Sequence, residues 1–149
     1  MSEHVNVPQL RRATQQTQEW IKELSNSTVF EAPEQAYSYL RAVLHALRDR
    51  MTVEEATHFA AQLPMMVRGF YYEGWRPALA PNDYETADVF YERVKESLGG
   101  TPGLTAVRVA EGTRAVMELL ESKVDPGQMK HLSDQLPKGV ADELFAEIG

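Results

Sequence analysis

The sequence has no cysteine, no strongly basic segment and no long apolar run. The lack of cysteine excludes disulfide bonds, thiolate zinc sites and cysteine nucleophiles, and it fits a reducing compartment. The longest uncharged apolar run, FAAQLPMMV, is far shorter than the roughly 20 residues that span a bilayer. The amino-terminal MSEHVNVPQLRR lacks the apolar core of a signal peptide. We therefore expect a soluble, cytoplasmic protein of bacterial type with no membrane partner.

Basic side chains are too few and too scattered for a nucleic-acid partner. The formal charge is −7, with 7 basic and 9 acidic side chains in residues 1–75 and 8 and 13 in residues 76–149. Binding to nucleic acid depends mainly on Lys and Arg clusters that neutralise phosphates, and the best cluster here is Arg11 with Arg12. We expect no nucleic acid to bind, and anionic membrane surfaces are disfavoured for the same reason.

Two segments of the chain resemble each other: HFAAQLPMMV begins at His58, and HLSDQLPKGV begins at His131, 73 positions later. An ungapped comparison of residues 13–72 with 86–145 gives 13 identities in 60 pairs, whereas chance gives about 4 at typical residue frequencies. We interpret the pattern as an internal duplication. The chain is then one compact unit over 1–149, with a first helical repeat at 9–75 and a second at 83–148.

Apolar residues in both copies recur with helical spacing. Those of the first copy are Ala36, Leu40, Val43, Leu44, Leu47 and Met51, and their equivalents are Val109, Thr113, Val116, Met117, Leu120 and Val124. No alternating strand pattern competes. The sequence predicts an all-α, eight-helix bundle of two tandem four-helix pseudo-repeats related by a pseudo-twofold axis. The predicted helices cover 9–25, 34–50, 53–62 and 64–75, then 83–98, 105–123, 126–135 and 137–148.

The repeated Gln-Leu-Pro predicts a corner between two helices, because proline disrupts a helix interior but suits the first turn of a new helix. The corner residues are Gln62, Leu63 and Pro64, then Gln135, Leu136 and Pro137. We expect both leucines to fill the core at the bend and both glutamine amides to satisfy unpaired carbonyls at the end of the preceding helix. The alternative is a binding motif centred on glutamine.

One continuous stretch, LRAVLHALRDRMTVEEATHFAAQLPMMVRGFYYEGWRP, resembles a known bacterial family. It combines a leucine-rich helix, a T-x-x-E-A helix start, A-Q-L-P and an aromatic Y-x-x-G-W, and the second copy adds D-Q-L-P. These features resemble those of the family called domain of unknown function 2267. The resemblance implies a small, helical, prokaryotic protein. It implies no activity and no catalytic residues.

Glu55 and His58 form a Glu-x-x-His on a predicted helix, the pattern that helical di-iron sites use. The second copy has Gln128 and His131 at these positions, and an amide is a poor ligand there. A capping box at Thr52 to Glu55 explains the pattern better, since Glu and Gln serve it equally. We expect no metal and no cofactor, with Glu55 and His58 as weak metal candidates. The two histidines are either hydrogen-bonded near the corner glutamines or a ligand-binding or pH-responsive pair.

The last helix of each copy differs in one respect that points to a partner. Four positions are apolar in both copies, and we expect them in the core. They are Val67, Tyr71, Tyr72 and Trp75 in the first copy and Val140, Leu144, Phe145 and Ile148 in the second. Met65, Met66 and Phe70, in contrast, correspond to Lys138, Gly139 and Glu143. Because Lys and Glu are almost never fully buried, we expect the first set to be exposed as an interaction surface. The alternative is a cover formed by the inter-copy loop or by Val5, Val7 and Leu10.

These features predict a helical protein–protein interaction or adaptor module rather than an enzyme. One alternative is a helical bundle that binds a small ligand or a metal. The other is a self-associating scaffold, for instance a homodimer, in which the apolar surface binds only another copy.

Overall fold

A computed structural model describes residues 5–81, 86–99 and 104–145. Over these residues the regular structure is entirely helical, which confirms the all-α class. The helices are α1 Pro8–Ser25, α2 Pro33–Arg50, α3 Val53–Ala60, α4 Met65–Tyr72, α5 Ala87–Ser97, α6 Ala106–Lys123, α7 Pro126–Gln135 and α8 Lys138–Phe145, with a short 3₁₀ helix at Pro77–Leu79. None of these helices is long and apolar enough to cross a membrane.

Proline and threonine mark the starts of most helices. Proline stands in the first turn of α1, α2 and α7, where the missing N–H costs no hydrogen bond. The hydroxyl of Thr86 accepts a hydrogen bond from the Val89 N–H at the start of α5, and that of Thr105 does the same for the Arg108 N–H in α6. These local signals position the helices independently of the core.

The helix boundaries recur at the predicted offset in two helix pairs. Helices α2 and α6 begin and end 73 positions apart, and so do the described spans of α4 and α8. In the second copy α5 begins at Ala87 rather than at 83, and in the first copy two predicted ends were wrong by more than one residue. Helix α3 ends at Ala60 rather than at 62, and α4 ends at Tyr72 rather than at 75. Helix α4 stops because Glu73 takes an extended ψ of 129° and Gly74 follows with a φ of +70°, a conformation that suits glycine.

Helices α2 and α6 lie at the centre of the fold and contact each other. Each also packs on the first helix of the other copy, so that α2 contacts α5 and α6 contacts α1. Within the first copy α1, α2 and α4 contact one another, as α5, α6 and α8 do within the second. The main core residues of the two central helices are Leu40, Val43, Leu44 and Leu47 with Val116, Met117 and Leu120. The superposition of the two copies about a twofold axis stays a prediction.

Candidate functional site

The first corner joins α3 to α4 and is held by an arginine that the sequence analysis did not identify. Leu63 is buried at the bend, as expected of a core residue. The Arg68 side chain donates hydrogen bonds to the carbonyls of Ala60 and Leu63, both at 3.0 Å. Because Arg68 satisfies these carbonyls, the role expected of Gln62 is wrong, and the Gln62 side chain is exposed. The sequence signal for this role was a basic residue one turn into the helix that follows the corner.

The second corner keeps the leucine but uses the glutamine differently. Leu136 is buried, and the Pro137 carbonyl accepts hydrogen bonds from the first turn of α8, as Pro64 does for α4. The Gln135 amide lies 2.6 Å from Nε2 of His131, one turn earlier in α7. The glutamine therefore binds the histidine of its own copy. His58 and His131 are both exposed.

Glu55 caps a helix, and this role occupies its carboxylate. Its Oε1 accepts a hydrogen bond from the Thr52 N–H at 2.9 Å, while the Thr52 hydroxyl accepts one from the Glu55 N–H at 3.2 Å. At the equivalent place in the second copy, the Asp125 carboxylate accepts from the Gly127 N–H at 3.0 Å. Among the described residues no group of three or more potential ligands could hold a metal ion.

Helices α3 and α7 face each other across a narrow cleft that is too small to hold a water molecule. Its lining includes Glu55 with Gln128 and Phe59 with Leu132, and in both cases the partners are 73 positions apart. His131 reaches this cleft, whereas His58 does not line it. The structure therefore does not bring the two histidines into a shared site there.

The predicted interaction surface on α4 is only partly exposed. The Met65 and Met66 side chains are 60 % and 43 % exposed, but Phe70 is only 9 % exposed. The prediction for Phe70 was wrong because the Tyr37 ring lies edge-on against it, with the ring centroids 5.3 Å apart. The counterpart of Tyr37 is Ala110, so the second copy gave no sign of this contact.

The described residues of the amino-terminal segment do not bury the two methionines. Val5 and Leu10 are themselves 80 % and 56 % exposed, and Val7 is half-buried. Of the residues expected in the shared core, Val67, Tyr71, Val140 and Leu144 are buried, Tyr72, Trp75 and Phe145 are half-buried, and Ile148 lies outside the described residues. The exposed apolar part of α4 is therefore its first turn, at Met65 and Met66.

Two buried polar residues of α2 anchor the end of α4. Nε2 of His45 lies 2.6 Å from the Phe70 carbonyl oxygen, so the imidazole donates its Nε2–H there. The Arg48 guanidinium donates to the Tyr71 carbonyl at 2.9 Å and to the Glu73 carbonyl at 2.7 Å. These are the carbonyls that a helix end leaves without intrahelical partners. Helix α4 is therefore held at its last turn while its first turn faces solvent.

The described part of the second copy has no equivalent of this anchor. Burial lowers the pKa of His45, the Phe70 hydrogen bond opposes that shift, and the neighbouring Arg48 lowers the pKa further. The counterparts of His45 and Arg48 are Glu118 and Glu121, which have no hydrogen to donate to a carbonyl when ionised. The sequence signal for the anchor was a His and an Arg among the apolar residues of LHALRDR.

Comparison with known proteins supports the family resemblance carried by the quoted motifs. No curated protein matches the chain. A family model described as "Uncharacterized conserved protein (DUF2267)" matches residues 17–143, which confirms the resemblance. The chain therefore belongs to the DUF2267 family of uncharacterized conserved proteins.

Proposed function

We propose that this protein is a cytoplasmic, bacterial protein–protein interaction module whose contact surface is centred on Met65 and Met66. The observation that carries the proposal is the exposure of two adjacent methionines, 60 % and 43 %, on the first turn of α4. Methionine side chains adapt to irregular apolar partners, and exposed groups of them are typical of binding surfaces. The surface lies on a helix, which presents its side chains more rigidly than a loop does.

The second copy supports this reading because it shows that the fold does not need apolar residues at these positions. The counterparts of Met65 and Met66 are Lys138 and Gly139, at the start of α8. The Lys138 ammonium donates to the Asp142 carboxylate at 2.7 Å on the surface. The same place in the fold is therefore polar in one copy and apolar in the other, which favours a functional reason for the methionines.

Self-association is the second candidate function, since an exposed apolar surface can also bind its counterpart on another copy. The molar mass in solution distinguishes the two. A monomer favours a different protein as partner, and a dimer broken by changes at Met65 and Met66 favours the scaffold. A metal or small-ligand bundle is less well supported because the Glu55 carboxylate already caps α3.

The test is a double substitution, Met65→Lys with Met66→Lys. Both side chains are exposed, so we expect the free energy of unfolding to change by no more than about 0.5 kcal/mol. Partner capture from the native host, or the dimer itself, should be lost. The matched control is Val89→Lys, because Val89 is 40 % exposed on α5 and outside the surface. Association that survives the double substitution contradicts the proposal.

The substitution Phe70→Glu would not test the surface. Phe70 is buried against Tyr37, and a carboxylate there would be desolvated without a partner. Loss of binding in such a variant would report unfolding instead. The methionines provide the cleaner test because their side chains are exposed.

A further inference from the structure

An open groove runs along the outer face of α6, beside the loop that joins α1 to α2. It consists of two adjoining cavities of about 450 and 510 Å³ that share Ser27, Ala115 and Glu118. The loop contributes Val29, and α6 contributes Val107. Val107 is 69 % exposed, so the groove offers apolar surface to solvent. It shares no residue with the Met65 and Met66 surface.

The first copy shows how the corresponding place can be filled. Tyr37, Ser38 and Arg41 are the counterparts of the groove residues Ala110, Glu111 and Arg114. They line a smaller cavity of about 340 Å³. The Tyr37 ring occupies this place and packs against Phe70.

The second copy lacks both rings of that aromatic pair. Ala110 stands in place of Tyr37, and Glu143 stands in place of Phe70. Glu143 is exposed and accepts a hydrogen bond from the Tyr91 hydroxyl at 3.1 Å. A tyrosine side chain at position 110 would take up space that the groove leaves open. An aromatic side chain from a partner would fill the space that Ala110 leaves, against the apolar side chains of Val29 and Val107.

The charges along the groove favour a basic partner. Among the described residues, its lining carries Glu111 and Glu118 against the cation Arg114. Glu23, in the second cavity, is already paired with Lys123 at 2.9 Å. The whole chain has a formal charge of −7, which adds to the attraction for cations. An aromatic or apolar group could thus bind in the groove while flanking positive charges approach the glutamates.

We infer that this groove binds a segment of a partner protein in which one aromatic side chain stands between lysine or arginine residues. The aromatic ring takes the space that Ala110 leaves open. The flanking cations pair with Glu111 and Glu118. The proposal does not depend on the methionine surface, and either can fail alone.

The experiment selects peptides from a phage-displayed library of random short sequences on the immobilised full chain. We expect enrichment of an aromatic residue flanked by lysine or arginine. The best peptide is then synthesised with a fluorescent label, and its affinity is measured by polarisation against the variants. Ala110→Tyr introduces the residue that the first copy has at this position, and its side chain fills the groove. We therefore expect the affinity to fall about tenfold or more, which is a loss of at least about 1.4 kcal/mol of binding free energy.

The matched control is Ala78→Tyr, which adds the same side chain at an exposed position that lines neither cavity and lies outside α4. It should bind the peptide like the wild type. Glu118→His introduces the first-copy residue and removes a negative charge from the groove. This variant should bind the peptide more weakly and with less dependence on salt. A thermal unfolding curve on each variant identifies any change that comes from lost folding.

Three outcomes overturn the inference. The first is a selection that enriches no aromatic-basic pattern. The second is a peptide that binds Ala110→Tyr as well as it binds the wild type. The third is a wild-type dimer that becomes a monomer in Ala110→Tyr, because the occupant would then be a second copy of this chain. Loss of binding in the variant with both methionines changed, but not in Ala110→Tyr, would place the peptide on α4 and would leave the methionine surface supported.

Discussion

The ring of Tyr39 lies directly against the backbone of Gly112, and these two residues are 73 positions apart. A residue that contacts its own counterpart lies at the axis that relates two copies. The cleft between α3 and α7 contains two further counterpart pairs, Glu55 with Gln128 and Phe59 with Leu132. We therefore expect the pseudo-twofold axis to pass through both places. At the first of them, a large and a small residue fit together where two tyrosines would overlap.

Gly112→Ala tests this close contact. A methyl group at Gly112 would overlap the Tyr39 ring, which is itself buried against Phe30. Overpacking a core costs about 1 to 3 kcal/mol, whereas alanine gains roughly 1 kcal/mol over glycine in a helix. We therefore expect the free energy of unfolding to fall by up to about 2 kcal/mol.

The control for that variant is Gly69→Ala in α4. A methyl group there meets no atom within 4 Å, so this substitution should stabilise the protein by about 0.5 to 1 kcal/mol. Urea denaturation measures both effects. If Gly112→Ala stabilises the chain as Gly69→Ala does, the close contact between the Tyr39 ring and Gly112 is contradicted.

Leu63→Ala and Leu136→Ala test the two corners. Their side chains are 2 % and 6 % exposed, so each truncation should lower the free energy of unfolding by about 2 to 5 kcal/mol. Leu79→Ala is the matched control, because Leu79 is 54 % exposed. Chemical denaturation gives all three values. Losses below about 0.5 kcal/mol at both corners, the range of surface changes, would show that the corner leucines do not fill the core.

The buried imidazole of His45 predicts a loss of stability in mild acid. Burial lowers its pKa in the folded chain below the ordinary value of 6.5. The unfolded chain therefore binds a proton first, so stability is full above pH 6.5 and falls as the pH drops towards the folded pKa. Urea denaturation across pH 7.5 to 5 measures this fall.

His45→Gln keeps a donor for the Phe70 carbonyl but cannot titrate. Its free energy of unfolding should decline less steeply between neutral and mildly acidic pH than that of the wild type. Leu63→Ala, which retains His45, controls for a general loss of stability and should keep the wild-type slope. An equal slope in His45→Gln and the wild type would mean that His45 does not cause the acid sensitivity.

His58→Gln should leave the metal content of the purified protein unchanged. The Glu55 carboxylate in the same helical turn is bound to the Thr52 N–H, and the second copy has Gln128 in its place. Elemental analysis of both proteins measures this directly. Stoichiometric metal in the wild type that disappears in the variant would replace the capping interpretation with a metal site.

Local sequence signals predicted the helices well because each acts over a few residues. The apolar spacing of α2 and α6 and the capping box at Thr52 depend on neighbours within one or two turns. The buried state of Phe70 depends instead on Tyr37, which is far away in the chain. Comparison of the copies could not show it, because both members of that contact differ in the second copy.

The polar anchor of α4 was not predicted for a similar reason. His45 and Arg48 bind backbone carbonyls 23 to 25 positions later, and a carbonyl is present in every residue. Their sequence pattern shows only that two polar groups lie on an apolar helix face. Which groups they bind depends on how α4 packs against α2, and spacing within α2 contains no information about that packing.

Site-specific photo-crosslinking from α4 tests the proposed interaction surface most directly. A photoreactive amino acid replaces Met66 in one variant and its counterpart Gly139 in the other, and both proteins are irradiated in cells of the native host. We expect a discrete crosslinked product from position 66 and none from position 139. If neither position gives a product, or if both give the same products, the first turn of α4 is not the contact surface and the proposed function is contradicted.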